Sequence, residues 1–297
     1  EKMSSLVLAD LNIELVKKIA QELNNEKMST VSIDITDSEA LTNLISDSDL
    51  VMNFVGPYYA FGTKPLETII DAGVNYIDIM DDYDQTVEVL KLDERAKENN
   101  VSAVIGLGAS PGMTNILARL ASDALDQTEE IHTNWVVGES EIGDENGIGA
   151  FLHFFHIIDG KVPTFEDGKE QLIEAFRVED CLKVKFDEHI GEVELYHLGH
   201  PEPITLPRFI PVVKTVTNRG GLIPEYLNDM FRTLTLLGLT SDESIEINGI
   251  SIKPQDFLFA AMEKKLEENP DLLEMLDEAN TSIQVVVNGT KDGNEVS

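Results

Sequence analysis

Cysteine is almost missing from this chain: Cys181 is the single one in 297 residues. No intramolecular disulfide is available, and a reducing cytoplasm is the expected location. Cys181 itself reads as a small apolar filler. Basic residues are scarce too, 22 against 55 acidic ones, which leaves a formal charge of -33 at pH 7. A surface so negative repels a phosphate backbone and an anionic bilayer, so neither nucleic acid nor membrane is an expected partner. No apolar run approaches the roughly 20 residues that span a bilayer, and no signal-like stretch opens the chain. Internal repeats and low-complexity linkers are lacking. So is any G-x-G-x-x-G turn ahead of the first strand.

What is present is a regular alternation. Leu6 to Ala9 is a short apolar run closed by Asp10, and Ile13, Val16, Ile19, Ala20 and Leu23 follow at helical spacing. The pattern recurs as strands at 31–33, 50–55, 76–79 and 103–107, with helices at 40–45, 65–72, 87–99 and 114–125. Parallel neighbours need crossover helices, so the alternation predicts an α/β domain with a doubly wound parallel sheet. Gly73 is expected to cap the helix before it. Asp10, Asp34, Gly56-Pro57, Asp81-Asp82-Tyr83 and Ser110-Pro111-Gly112 all fall at the carboxyl ends of strands, the edge where such sheets bind ligands. A carboxylate closing a strand, as Asp10 does, suits the ribose hydroxyls of a dinucleotide and repels a 2'-phosphate, which favours NAD over NADP.

Gly108-Ala109-Ser110-Pro111-Gly112 also satisfies G-x-S-x-G, the nucleophile elbow of serine hydrolases. There the residue after the serine donates its N–H to the oxyanion, and Pro111 has none. Ser110-Pro111-Gly112 therefore reads as a helix start, with Pro111 in the first turn, presenting a hydroxyl to a ligand.

Three segments follow one another in the order and spacing of saccharopine dehydrogenase-like enzymes: Asn53-Phe54-Val55-Gly56-Pro57-Tyr58, 72–78 and 106–115. Looser similarity continues through 160–163, 168–169 and 198–203. The chain resembles that family, which acts on saccharopine, lysine or carboxylated polyamines. The resemblance implies a Rossmann-like domain, here lacking its first strand and glycine loop, over 1–125, and an α+β domain for substrate binding and dimerisation over 126–297. It implies truncation at the amino end, where Glu1-Lys2-Met3 looks like the end of a helix. Truncation is expected at the carboxyl end also, where a strand at 282–287 and turns at Asn288-Gly289 and Asp292-Gly293 stop short of a returning hairpin. It implies a homodimer and a nicotinamide cofactor, NAD with NADP as the other choice. Asp10 would then meet the adenosine ribose, Asp34 and Ile35 the adenine, and Val55, Gly56 and Pro57 the nicotinamide side. Tyr83, Asp82 and Ser110 would face the substrate, with Asn115.

From about Ile131 the longer apolar runs fit an α+β arrangement. Trp135 reads as core. His153 and His156 read as packing or interface residues, and no metal site is expected. Oxidising an amine to an imine needs a base near neutral pH, and His200, in a turn beside Glu202, is the candidate. Among sparse cations Arg208, Lys214 and Arg219 could receive a substrate carboxylate, with Arg208 the chosen one. The expected function is NAD(P)-dependent oxidation of the CH-NH group of an amino-acid-derived amine such as saccharopine. Lysine or carboxynorspermidine oxidation, a non-catalytic dinucleotide-binding or dimerisation module, and a serine hydrolase are the alternatives.

Overall fold

The computed structural model describes residues 3–138, 147–269 and 281–297. Glu1 and Lys2, read above as a helix end, lie outside them. The chain forms two compact units, Glu1–Ile79 with Asp84–Ile105, and Met80–Tyr83 with Gly106–Ser297.

The first unit runs Leu6–Asp10 (β1), Ile13–Leu23 (α1), Met28–Ser32 (β2), Ser38–Ile45 (α2), Leu50–Asn53 (β3), Tyr58–Phe61 (α3), Thr63–Asp71 (α4), Asn75–Asp78 (β4), Tyr83–Val89 (α5), Asp93–Glu98 (α6) and Ala103–Val104 (β5). A 3-10 turn at Leu90–Leu92 splits the helix expected over 87–99 into α5 and α6. Helix starts follow local chemistry. Asn12 accepts from the Leu15 N–H, and the Asp37 carboxylate accepts from the N–H groups of Glu39 and Ala40. Gly73 takes the left-handed conformation after α4, as its position predicts. All ladders are parallel, β1 with β2 and β3 with β4 with β5. In the doubly wound order 3-2-1-4-5-6 these are places three and two, then four to six. Among the described residues no strand occupies place one, so the two half-sheets share no ladder.

The second unit holds Met113–Asp123 (α7), Gln127–Gly138 (β6), Gly147–Ile158 (α8), Lys161–Glu166 (β7), Lys169–Glu174 (β8), Leu182–Lys185 (β9), Glu192–His197 (β10), Glu202–Phe209 (α9), Thr215–Ile223 (β11), Tyr226–Leu236 (α10), the hairpin Ile245–Ile247 and Ile250–Ile252 (β12, β13), Pro254–Glu268 (α11), Ser282–Lys291 (β14) and Asn294–Val296 (β15). Among the described residues its mixed sheet has eight strands, six in the order β15-β14-β6-β11-β10-β9, with β7 branching from β11 and β8 paired to β7. β6 and β11 are parallel, and β14 runs antiparallel to β6. The α+β expectation holds.

One sheet face is apolar. Trp135, Tyr196 and Leu222 pack there with Phe154, Phe155 and Ile158 of α8 and Phe231 of α10. Ile131, Val216 and Val287 pack with Ala118 of α7 and Leu206 of α9. Because Ala118 is fully buried in that core, α7 belongs with the second unit, although it was expected in the first domain. Gly220 is required where it stands, since a Cβ there would lie 2.2 Å from the Trp135 ring. Asn288 and Gly289 sit inside β14 at a register shift, not in a turn, and the chain turns at Asp292-Gly293 into the short returning strand β15. The hairpin expected to be missing is therefore present in brief.

Candidate functional site

The loop before α7 folds back on itself. The Met113 N–H donates to the Gly108 carbonyl at 2.9 Å, and the Thr114 N–H to the Ala109 carbonyl at 3.1 Å. Gly112, at φ +117°, permits this closure, because a Cβ would fall 2.3 Å from the Gly108 carbonyl oxygen. Pro111 precedes Gly112, the residue that caps α7, so it lies outside the helix and not in its first turn as expected. Asn115 accepts from the Gly112 N–H at 3.3 Å and donates to Thr205 Oγ1 at 2.9 Å. Both ends of its amide are engaged by the protein, which makes it a loop clamp rather than the substrate contact expected.

The closed loop delivers Ser110 to a buried carboxylate. Ser110 Oγ donates to Glu202 Oε1 at 2.5 Å, and Thr114 Oγ1 donates to the same oxygen at 2.8 Å. Glu202 Oε2 lies 3.1 Å from His200 Nδ1. Glu202 is fully buried and His200 is 4% exposed, tilted against the Trp135 ring at 5.6 Å. Burial pushes the Glu202 carboxyl up, but His200 and the two hydroxyls outweigh it and hold the group below its usual range. A carboxylate facing Nδ1 places the imidazole proton there and leaves Nε2 as the acceptor. Glu202 and His200, two apart in sequence, are thus in direct contact.

A second cluster was missed. His153 Nδ1 lies 2.8 Å from Asp82 Oδ1 and its Nε2 3.4 Å from Asp81 Oδ2, and its ring meets His200 edge-on at 5.9 Å. Desolvation raises the Asp81 carboxyl above its ordinary range, against the pull of His153, even though a third of that side chain remains accessible. His156 stacks on Tyr83 at 5.7 Å, and the Tyr83 hydroxyl is 3.5 Å from the Lys161 carbonyl. The two histidines are three apart on α8, one helical face, and both address the 81–83 segment. Reading His153 and His156 as packing or interface residues hid this; the i, i+3 spacing in an apolar helical run was the available signal. Ligand atoms of Asp81, Asp82 and His153 lie within 4.8 Å of one another, close enough to share a cation. Arg208 stands apart: it is exposed in the last turn of α9 and makes no ion pair among the described residues. Lys214 is spent on a surface pair with Glu129.

In the first unit the cofactor candidates occupy the carboxyl edge of the strands. Asp10 Oδ1 accepts from the Asn12 N–H at 2.8 Å, and no partner is present for Oδ2 among the described residues. Asp34 Oδ1 accepts from both the N–H and Oγ1 of Thr36, which lowers its pKa. Ile35 and Val55 are half-buried, Val55 donating its N–H to Asn53 Oδ1. Gly56 is exposed, with open space where a Cβ would be, beside Pro57 at the start of α3. An acceptor oxygen at one strand end and bare backbone at another fit a dinucleotide laid along this edge.

Residues 1–104 match the saccharopine dehydrogenase NADP binding domain. This part of the chain is similar to that family. The description of that family names NADP as what its domain binds. Over 82% of this chain the fold is similar to saccharopine dehydrogenase (L-Glu forming) from Saccharomyces cerevisiae, with a TM-score of 0.57 at 13% identity over 54% of that chain. A curated relative, (S)-8-amino-7-oxononanoate synthase BioU from Haloferax mediterranei, is 29% identical over 121 residues, 39% of this chain and 31% of its own length. The chain thus spans about half of the solved structure and under a third of the curated relative. No helix among the described residues is long and apolar enough to cross a membrane.

Proposed function

We propose that the protein is an NAD(P)-dependent oxidoreductase acting on the CH-NH group of an amino-acid-derived amine such as saccharopine. The observation that carries this is the buried His200–Glu202 pair, locked by Ser110 and Thr114 in a chain that also holds a dinucleotide domain. When bound, the nicotinamide supplies the hydride acceptor. His200 Nε2 takes the amine proton, while Glu202 stays ionised, fixes the tautomer and stabilises the imidazolium that forms. Asp81, its carboxyl raised by burial, is placed beside His153 to return a proton as water adds to the imine. Asp82 and Tyr83 position His153 and His156 and complete the lining. Asp10 Oδ2 favours NAD, because a 2'-phosphate would meet a carboxylate.

The hydrolase alternative lacks its geometry. A serine triad places the nucleophile and the acid on opposite nitrogens of the histidine. Here Ser110 at 3.4 Å and Glu202 at 3.1 Å both approach Nδ1, and Ser110 already donates to the acid.

The test is NAD(P)H formation by the full-length protein against saccharopine, L-lysine and carboxynorspermidine. His200→Ala should lower kcat about a hundredfold or more with KM little changed. Turnover of none of these amines, with cofactor still bound, would leave a non-catalytic binding module. An acyl adduct on Ser110 would restore the hydrolase. Asp10→Ser should shift the NAD/NADP affinity ratio toward NADP by about tenfold, read by side-by-side titration; an unchanged ratio would remove Asp10 from the ribose site.

A further inference from the structure

The second face of the sheet in the second unit is apolar where Val136, Val184, Val193 and Leu195 pack and polar around Arg219. Side chains alternate along a strand, so His132 and Asn134 of β6 point away from Ile131 and Trp135, and Thr217 and Arg219 of β11 away from Val216 and Gly220. His197 of β10 pairs in register with Arg219, which in turn pairs with Asn134. Arg219 donates through Nη2 to His197 Nε2 at 2.6 Å and through Nη1 to Thr217 Oγ1 at 3.1 Å. Its Nε–H is buried and has no acceptor, and Asn134 Oδ1, on the neighbouring strand, is buried and has no donor. No carboxylate lies within 4.0 Å of the guanidinium among the described residues. Glu130, on the same face, is held by Asn288 and His132, and Glu166 and Asp180 act on Arg219 only from farther away. In a chain with 55 acidic residues for 22 basic ones, a half-buried arginine without a carboxylate is a charge left open.

We propose that Arg219 and Asn134 form a binding site for a small amino-carboxylic acid on the sheet face opposite His200. The carboxylate completes the Arg219 fork, and the amino group donates to Asn134 Oδ1, so one ligand satisfies both orphaned atoms. Burial and the Arg219 charge push the His197 imidazole down to about 3, and burial lowers His132 as well, so neither adds positive charge near neutral pH. A single guanidinium matches a monoanion. A phosphate dianion would bring a second negative charge into a chain already at -33. The site is separate from the proposed catalytic histidine, because Trp135, which touches His200, faces the other side of the sheet.

The test uses the 15N-labelled full chain and the Arg219 Nε–H resonance, titrated with L-glutamate, acetate and inorganic phosphate. L-glutamate should shift that resonance saturably and bind about fivefold or more tighter than acetate, with phosphate weakest. Arg219→Lys should weaken L-glutamate about tenfold, since a lysine keeps the charge but loses the fork. Asn134→Ala should abolish the preference for L-glutamate over acetate. His200→Ala should leave all three titrations unchanged, which separates this site from the proposed activity. An unmoved resonance in the wild-type chain overturns the proposal without recourse to any variant. So does phosphate binding tightest, or a shift that follows protein concentration alone, which would give the face to a second copy.

Discussion

Glu202 shows how much one side chain can hold. It is fully buried, accepts two hydroxyl hydrogen bonds and faces His200, so removing its charge strands three partners at once. Glu202→Gln should destabilise the second unit by about 3 kcal/mol or more and flatten the acid limb of the rate profile, measured by chemical denaturation and kcat against pH. If stability falls while the profile is unchanged, Glu202 is structural only. The acid response of the fold has a second source in His197. Its folded-state pKa is depressed to about 3, so between roughly pH 6.5 and 3 the unfolded chain binds the proton that the folded chain refuses. Stability should therefore be full above about pH 6.5 and fall by up to about 1.4 kcal/mol per unit as pH drops through that window. His197→Asn should reduce this slope, read from denaturation midpoints between pH 7 and 5. Glu202, with its pKa lowered, keeps its full contribution down to the ordinary carboxylate value and loses it only below, so above that value the slope is that of His197 and not of Glu202. At this scale the sequence pointed to His200, Glu202 and Ser110 through a Gly/Pro-rich turn and a glycine-flanked serine. It could not show that Asn115 and Lys214 are consumed by neighbours distant in the chain, or that Arg208 is left outside.

Among elements, the parallel strands and their crossovers were legible because apolar runs and helical spacing are local signals. The errors came where identity depended on tertiary contact. α8 is apolar on several faces because it packs into the core, which obscured its period and with it His153. α7 was assigned by its place in the alternation, whereas Ala118 packs on Ile131 and Leu206. The turn expected at Asn288-Gly289 lost to the ladder with β6. The closed loop ahead of α7 provides the test proper to this scale. Gly112→Ala places a Cβ against the Gly108 carbonyl at a left-handed φ, so the loop must open. We expect a loss of about 1 to 3 kcal/mol, with slower exchange protection lost first at the Met113 and Thr114 amides. Protection retained at both amides would show that the loop tolerates the methyl group by another route.

For the molecule as a whole, the charge of -33 sets the response to salt. Surface pairs such as Arg95 with Asp71, or Lys97 with Asp93 and Glu94, are exposed and contribute little. Self-repulsion should dominate, and shortening the screening length from about 30 Å at 0.01 M to about 3 Å at 1 M salt should raise the melting temperature by a few degrees. A falling melting temperature would mean that ion pairs outweigh the repulsion. The path of the chain has a further consequence. Residues 80–83 belong to the second unit although first-unit segments flank them on both sides. They carry Asp81 and Asp82, the partners of His153. A gene cut at codon 106 would therefore deliver a carboxyl-terminal half whose histidine has lost both counter-charges. In a chimera that borrows its nucleotide-binding half from a relative, that four-residue inlay must be carried over from the recipient, because its ionic partner His153 lies in the half that it does not adjoin in sequence.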